Sequence, residues 1–257
     1  MSGLSFALLL ARMKLLTHIG RYVIMLHKAF RRPTKGIVLK ELILKEIDDL
    51  IIGSLGITAF ISLFMGAVVA LQTALNLDNP LIPKSLIGFA TRQSIILEFA
   101  PTFISVIMAG KVGSNITSSI GTMRVTEQID ALEVMGINPL NYLVFPKVIA
   151  LLFYPLLIAI MMFVGIFGGY LASVYGNLIS SDEFITGIRD TFVPYHIAYA
   201  FIKTFVFGIL LATIPSYHGY YLKGGALDVG RASTTSFVWT CVAIIVANYL
   251  LTQLLLS

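Results

Sequence analysis

Residues 148–181 read VIALLFYPLLIAIMMFVGIFGGYLASVYGNLISS, a run of 34 residues without a charged side chain. A helix needs about 20 consecutive apolar residues to cross the hydrocarbon core of a bilayer. Uncharged runs of similar length occupy residues 51–77 and 232–257. Each is long enough to span the bilayer with some tilt, so the three runs predict membrane spans.

The composition of the whole chain indicates the same class. The 257 residues are 57% hydrophobic and only 12% charged, whereas about 25% of the residues in an ordinary soluble domain are charged. So few charges suffice for a surface that faces lipid, because lipid replaces water as the solvent of apolar side chains. The one cysteine, Cys241, lies within an apolar run. We therefore predict neither a disulfide framework nor a metal site.

Two further segments are apolar but interrupted by charge. Residues 85–110 contain Arg92 and Glu98, and residues 194–222 contain Lys203. We interpret both as spans with buried polar positions; the alternative is a re-entrant or interfacial segment, since their unbroken apolar stretches are short. The predicted fold is all-α and integral to the membrane, with a membrane domain at 46–257 and spans at about 51–77, 85–110, 148–180, 194–222 and 232–255.

The positive charges are distributed asymmetrically along the chain. Nine lysine and arginine residues precede the first span, and these residue types are enriched in the cytoplasmic segments of membrane proteins. With the N-terminus in the cytoplasm, 14 of the 18 basic residues lie inside, three outside and Lys203 within the membrane. We therefore predict a cytoplasmic N-terminus.

Residues 1–45 form an N-terminal region of their own. Residues 4–30 mix apolar side chains with regularly placed basic ones, as an amphipathic helix lying in the interface does. Positive charge follows the first apolar stretch rather than preceding it, so this is not a secretory signal peptide. Attraction to anionic lipid head groups accounts for the net charge of +5, and we predict no nucleic-acid partner.

The most informative polar segment connects the second and third predicted spans. Residues 121–140 read GTMRVTEQIDALEVMGINPL. Thr126 is a candidate N-cap, and the helix dipole favours the carboxylates of Glu127 and Asp130 near the first turn. Gly136 and Pro139 are stop signals. The pattern predicts a short helix of about ten residues.

This short helix has an acidic face and a mostly apolar face, at about 100° per residue. The acidic face consists of Glu127, Asp130 and Glu133, and the other face of Ile129, Ala131, Leu132 and Met135, with Gln128 among them. One face could dock on a partner protein while the other meets solvent or basic groups. The alternative is a loop helix that packs against its own bundle.

The same segment resembles a known family. GTMRVTEQIDAL followed by MGINP, at residues 121–132 and 135–139, closely resembles the signature of MlaE-type (YrbE) permeases, the membrane subunits of MCE-associated ABC lipid transporters. The resemblance runs from FMGAVVALQ at 64–72 to GRASTT at 230–235, about two thirds of the chain. LEFAP at 97–101 is similar to the family's Arg-Glu-Leu-Gly-Pro, except that leucine stands where arginine is usual.

The resemblance implies an assembly of several chains. It implies a homodimer of protomers with five spans, arranged around a lipid cavity that opens toward the periplasm, in the inner membrane of a bacterium. An ATPase subunit of the MlaF type and a periplasmic MCE protein of the MlaD type would complete it. A small STAS-domain protein of the MlaB type is left open.

The resemblance also implies that the short helix couples the chain to the ATPase. The coupling residues would be Glu127, Gln128, Ile129, Asp130, Ala131 and Leu132. The chain contains no Gly-x-x-x-x-Gly-Lys-Ser/Thr phosphate loop. We therefore expect ATP to be used by the partner, no cofactor on this chain, and no enzymatic activity of its own.

Polar residues within the spans are the candidates for contacts to lipid. An ionised side chain at bilayer depth costs about 2.5–3.5 kcal/mol on insertion scales, so it generally has a partner or a wet cavity. We predict that Glu98 and Lys203 line the lipid cavity; an ion pair that only fixes helix packing is the alternative. Val69, Gln72 and Asn76 recur at helical spacing and line the same cavity by family position, although helix packing explains Val69 equally well.

Together with these patterns, the resemblance implies a permease that moves phospholipid between the inner membrane and an MCE carrier, contributing to outer-membrane lipid asymmetry. One alternative is an ion-coupled secondary transporter that uses Glu98 and Lys203 as a proton-sensitive pair. Another is a noncatalytic scaffold that binds partners through the acidic helix. Neither alternative predicts the match at residues 127–132.

Overall fold

The computed structural model describes residues 2–31, 36–77 and 83–256, with side chains from residue 16 onward in the first range and from residue 38 onward in the second. Within these ranges all regular structure is helical. Of the amphipathic pattern predicted for residues 4–30, residues 4–15 lie outside the described side chains. So do four of the basic residues used for the orientation, Arg12, Lys14, Arg32 and Lys35.

The described helices follow one another with few residues between them. In chain order they are α1 (Ser2–Ala29), α2 (Gly36–Leu50), a 3₁₀ turn (Ile52–Ser54), α3 (Leu55–Leu75), α4 (Leu86–Ser94), a π-helical segment (Ile95–Phe103), α5 (Ile104–Met108), a second π-helical segment (Ala109–Gly113), α6 (Ser114–Val125), α7 (Gln128–Val134), α8 (Pro139–Leu143), α9 (Phe145–Leu151), α10 (Tyr154–Tyr175), α11 (Ser181–Arg189), α12 (Tyr195–Tyr220) and α13 (Ala226–Leu256).

Five helical stretches in the described part of the chain are long and apolar enough to cross a membrane. They are Val38–Leu75, Leu86–Val125, Pro139–Tyr175, Tyr195–Tyr220 and Ala226–Leu256. The prediction of an all-α fold with five spans is confirmed. The second stretch continues to Val125 instead of ending near residue 110, because Ile116 and Ile120 are buried where α6 packs against α12 and α13.

Glycine residues allow α3 and α10 to cross at close range. A Cβ atom on Gly66 would lie 1.7 Å from the carbonyl oxygen of Gly165, and one on Gly168 would lie 2.0 Å from that of Leu63. Nearby, the Ser62 hydroxyl donates to the carbonyl oxygen of Met161 (2.5 Å). Small residues of this kind let helix backbones approach in membranes, where packing replaces the hydrophobic effect as the cause of association.

Polar contacts from residue 18 onward hold helix α1 against the rest of the chain. The His18 ring nitrogen Nδ1 lies 2.7 Å from the Tyr217 hydroxyl, and the Tyr22 hydroxyl lies 2.6 Å from that of Thr213. At the end of α1, the side-chain amide of Asn141 donates to the carbonyl oxygen of Ala29 (2.7 Å). This bond satisfies one of the carbonyl groups that the last turn of a helix leaves unpaired.

Helix α11, which connects the third and fourth spans, is fixed from both ends. Ser180 and Glu183 form a capping box at its start, and these hydrogen bonds hold the pKa of Glu183 below its usual value. At its end, the buried guanidinium group of Arg92 donates to the carbonyl oxygens of Ile188 (2.7 Å) and Asp190 (2.9 Å). The polar interruption predicted in the second span is thus an anchor for this connection.

Candidate functional site

An ion pair lies between the second and fourth spans. Lys203 Nζ on α12 is 3.0 Å from Glu98 Oε1 on the first π-helical segment. The Lys203 side chain is 0% exposed, whereas that of Glu98 is 44% exposed. The structure therefore brings the two predicted residues together, with the amine sealed inside the chain and the carboxylate reachable from outside.

The second carboxylate oxygen belongs to a wider polar cluster. The side-chain amide of Asn248 on α13 donates to Glu98 Oε2 (3.1 Å), and the Thr102 hydroxyl lies 3.0 Å from the same oxygen. Thr102 also lies 2.9 Å from Asn248 Oδ1. Because a hydroxyl group has one proton, Thr102 donates to only one of these acceptors at a time. The cluster thus joins three spans through one carboxylate.

The local geometry of the second span follows from Pro101. Proline has no N–H, so in an α-helical register the carbonyl oxygen of Leu97 would lose its donor. Lys203 Nζ lies 3.1 Å from this oxygen. Residues Ile95–Phe103 are π-helical, and single π-helical turns are frequent at functional sites. The Lys203 amine therefore supplies a hydrogen-bond donor to the Leu97 carbonyl oxygen, and this oxygen supplies an acceptor to the buried amine.

The exposed side of Glu98 faces the exterior of the single chain. A separate cavity between α3 and the second span, lined by Ile95, Phe99 and Phe103 among others, has a volume of about 10 Å³. This space admits little more than a water molecule. Phe103 itself is exposed. Because the Glu98 side chain is 44% exposed, a lipid that reaches it contacts the outer face of the protomer.

The three residues predicted on the first span do not share one surface. Gln72 and Asn76 are exposed on α3, where the Asn76 amide donates to the carbonyl oxygen of Gln72 (2.9 Å). Val69 is buried together with Gly66 and Ala70, on the face of α3 that includes the α10 crossing. The side chain of Val69 therefore packs inside the protomer.

The predicted connecting helix is present as α7 but is shorter and capped differently. Thr126 is not its N-cap; it ends α6, and its hydroxyl donates to the carbonyl oxygen of Thr122 (2.9 Å). Glu127 takes the N-cap position in a left-handed conformation, with φ of 59°. Gly136, with φ of 74°, ends the helix as predicted.

The residues that follow α7 complete a Schellman motif. The Gly136 N–H donates to the carbonyl oxygen of Glu133 (2.9 Å), and the Ile137 N–H donates to that of Leu132 (3.0 Å). Pro139 is not part of the stop signal, because it occupies the first turn of α8 after the N-cap Asn138. Two successive caps therefore fix the chain on both sides of residues 136–138.

The residues at and near the apolar face predicted for α7 differ in burial. Ile129 is completely buried in the core of the protomer, whereas Val134 is 90% exposed and Met135 is also exposed. Ala131 is exposed and Leu132 is intermediate. Ile129 therefore attaches α7 to its own bundle, and the apolar surface available to another protein consists of the residues at the C-terminal end of α7.

The acidic residues of α7 connect it to two spans. Asp130 Oδ1 lies 2.8 Å from Arg124 Nη1 at the end of α6, and the hydroxyl of Tyr220, the last residue of α12, lies 3.4 Å from Glu133 Oε1. Glu127 and Gln128 are exposed. A force on α7 would therefore reach the ends of the second and fourth spans, which also contribute Glu98 and Lys203.

Sequence reasoning missed Thr102 and Asn248. Thr102 follows Glu98 by four residues, one helical turn, which was a usable signal. Asn248 is 150 residues from Glu98, and nothing in its own apolar run indicates which helix it faces. Within the described residues, no group of three or more His, Cys, Asp or Glu side chains is arranged to hold a metal ion.

Comparison with known proteins gives this architecture a family. The chain is 36% identical over 242 residues to a probable ABC transporter permease protein of Rickettsia bellii, covering 94% of this chain and 93% of that one. It is 34% identical over 203 residues to a probable ABC transporter permease protein of Synechocystis sp., covering 79% and 77%. It is 33% identical over 203 residues to the chloroplastic protein TRIGALACTOSYLDIACYLGLYCEROL 1 of Arabidopsis thaliana, covering 78% and 57%.

A family model described as Permease MlaE matches residues 43–254, which include all five spans except the first residues of the first and the last two of the fifth. The match covers the Glu98 cluster and α7 alike. The chain is therefore a multi-pass membrane protein that belongs to the MlaE permease family of ABC transporters.

Proposed function

We propose that this permease moves phospholipid between a bacterial inner membrane and a periplasmic MCE carrier, and so contributes to outer-membrane lipid asymmetry. The observation that carries the proposal is the Glu98–Lys203 pair, with one sealed and one reachable partner. If the pair only fixed helix packing, the exposure of the Glu98 carboxylate would add nothing to the stability of that packing. The name of the Arabidopsis relative contains that of a glycerolipid, which also favours a lipid substrate.

The pair suits a head group that contains a phosphate. Within the described residues, Glu98 is the one acidic partner of the Lys203 ammonium group. A phosphate that approaches from the exposed side competes with the carboxylate for this amine, and an amine on the same head group then pairs with the released carboxylate. Because the Lys203 amine is 0% exposed, this exchange requires the Glu98 side chain to rotate away from it, and Thr102 and Asn248 offer partners to the released carboxylate.

A second copy of the chain would complete the lipid cavity. Phe103 on the second span is exposed, and α13 is exposed next to Asn248 along Tyr249, Leu250 and Leu254. These surfaces need either lipid or protein against them. In a homodimer, the polar clusters of both protomers, together with Gln72 and Asn76, would line one central space.

We further propose that α7 contacts a separate ATPase subunit on the cytoplasmic side, through Glu127, Gln128 and the exposed residues near Val134. Arg124 and Tyr220 connect α7 to the second and fourth spans. ATP hydrolysis in an MlaF-type subunit would then move the spans that hold Glu98 and Lys203. An MlaD-type MCE protein, with or without a small MlaB-type subunit, would exchange the lipid outside.

Charge reversal on α7 tests this coupling. We expect the wild-type protein, purified in detergent from its native membrane, to retain an ATPase subunit. A Glu127→Lys, Asp130→Lys double variant should retain at least about tenfold less of that ATPase. The new lysines would face the positive charge of an ATPase surface that complements the acidic residues of α7, and like charges across an interface cost several kcal/mol. Both residues are exposed, so folding is little affected: the one ion pair that is lost is a surface pair, which contributes about 0–1 kcal/mol.

The matched control places the same charge change on the other side of the molecule. Asp182 is exposed on α11, and an Asp182→Lys variant should retain the ATPase, whereas the single Glu127→Lys variant should retain less. Equal retention by these two single variants would contradict a coupling role for α7. Absence of an ATPase from the wild-type preparation would favour the second candidate, a secondary transporter that uses the same ion pair.

A further inference from the structure

A groove separate from the Glu98 cluster lies between α1, α12 and α13. Its volume is about 700 Å³, within the range of about 300–1,000 Å³ that is usual for small-molecule sites. Its walls come from Ile19 and Tyr22 on α1, from α12 near Ile214, and from α13 near Trp239. The fully buried Phe207 lies between this part of α12 and Lys203.

The groove is polar at one end and apolar at the other. His18, Tyr217, His218 and Thr235 line the end near the C-terminus of α12 and the N-terminus of α13. Because α12 and α13 are consecutive antiparallel helices, the opposite end is lined by Leu210 of α12, and by Val242 and Val246 of α13. A ligand that fills the groove therefore has a polar head and an apolar tail.

The length of the groove corresponds to one leaflet of a bilayer. At about 1.5 Å per residue, the lining spans about 12 Å along α12, from Leu210 to His218, and about 17 Å along α13, from Thr235 to Val246. Half of the hydrocarbon core is about 15 Å thick. An acyl chain of one leaflet fits this length, whereas a transmembrane helix of a partner protein would extend well past the apolar end.

The charges at the polar end favour an anionic head group. Arg21 is exposed on α1 and lies close enough to Tyr217 to act on it electrostatically. The His218 imidazole lines this end of the groove, where its ring N–H can donate to an acceptor. The residues that line the groove include no carboxylate. Phosphate oxygens would meet donors and positive charge here, without a competing acid.

We propose that this groove binds an anionic phospholipid, with its phosphate near His18, Arg21 and His218 and one acyl chain along Trp239 and Val246. The site would attach α1 to α12 and α13 through the lipid as well as through direct contacts. It does not depend on the transport function, because its residues are distinct from the Glu98 cluster.

The test uses Trp239, which is the one tryptophan in the chain and is 53% exposed in the groove. The full-length protein is reconstituted in phosphatidylcholine vesicles, and bromine-labelled phosphatidylglycerol or bromine-labelled phosphatidylcholine is added at increasing mole fraction. We expect the brominated phosphatidylglycerol to quench the fluorescence at a several-fold lower mole fraction. Equal quenching by both lipids would overturn the proposal.

Substitutions locate the site. Arg21→Gln should reduce the preference for phosphatidylglycerol about five-fold, because one basic residue near anionic lipid contributes about 1 kcal/mol. His18→Gln should also reduce it, whereas His27→Gln, on the exposed side of the same helix, should not. Equal effects of the two histidine variants would contradict binding at the polar end.

A bulky side chain placed in the groove distinguishes lipid bound there from lipid that merely surrounds the protein. Ala243→Phe should abolish the preference, because Ala243 lines the groove, whereas Ile245→Phe, on the exposed face of α13, should leave it intact. The measurement is repeated on the complex purified from native membranes, with a Trp239→Phe sample as the blank. A preference that is present in vesicles but absent from the complex would show that a protein partner fills the groove, and would overturn the proposal.

Discussion

Replacing Glu98 with leucine is expected to destabilise the protein by roughly 3–5 kcal/mol, the usual cost of leaving a buried charge without its partner. The ammonium group of Lys203 is completely buried, and among the described residues it would keep the Leu97 carbonyl oxygen and the face of the Tyr199 ring. Lys203→Met should cost much less, because the half-exposed Glu98 carboxylate retains the Asn248 donor and can reach solvent or a head group. Thermal unfolding in detergent, followed by circular dichroism, measures both changes.

A variant that lacks both charges distinguishes a packing role of the Glu98–Lys203 ion pair from a role in lipid transport. Glu98→Leu, Lys203→Met removes both charges, so it should regain most of the stability that Glu98→Leu loses. Lys203→Met and the double variant should both fold and yet fail to move phospholipid. If Lys203→Met transports lipid at the wild-type rate, the ion pair serves helix packing alone.

Replacing Gly66 with alanine is expected to abolish the folded protein or to reduce its yield at least about tenfold. The new Cβ would lie 1.7 Å from the carbonyl oxygen of Gly165, and because this atom is backbone, α3 and α10 would have to separate. Overpacking in a well-packed interior costs about 1–3 kcal/mol even where side chains can move. The yield of monodisperse protein in detergent measures the effect.

The matched control for this substitution lies on the same helix. A Cβ atom on Gly56 meets no other atom within 4 Å, so Gly56→Ala should be neutral or stabilising by up to about 1 kcal/mol, the difference in helix propensity. Similar yields of the Gly66 and Gly56 variants would contradict the close crossing of α3 and α10.

The number and order of the spans could be predicted from the sequence because lipid imposes one simple requirement on length and polarity. The helix ends were less predictable. Thr126 has the residue type of an N-cap, yet α6 reaches it first, because Ile116 and Ile120 are buried in contacts that the sequence does not reveal. Tertiary packing therefore decided which of two adjacent helices included Thr126.

The polar cluster was predictable only in part. The cost of burying a charge indicated that Glu98 and Lys203 need partners, and the structure pairs them. Asn248 brings the fifth span, α13, into the cluster. Which helix Asn248 faces depends on how α13 is rotated about its axis, and the sequence does not show this rotation. Periodicity likewise grouped Val69 with Gln72 and Asn76, but the glycine-mediated crossing with α10 turns Val69 inward. Close approach at Gly66 is a backbone feature that hydrophobic periodicity does not show.

The most direct test of this account is lipid movement by the purified complex. The protein with its retained ATPase is reconstituted in vesicles that contain a fluorescent phospholipid, and transfer of the lipid to or from the MCE protein is followed with ATP, with a nonhydrolysable analogue, and with a proton gradient alone. The account predicts transfer only with ATP, and none with Lys203→Met. Transfer driven by the proton gradient without ATP would contradict it and would establish the secondary transporter instead.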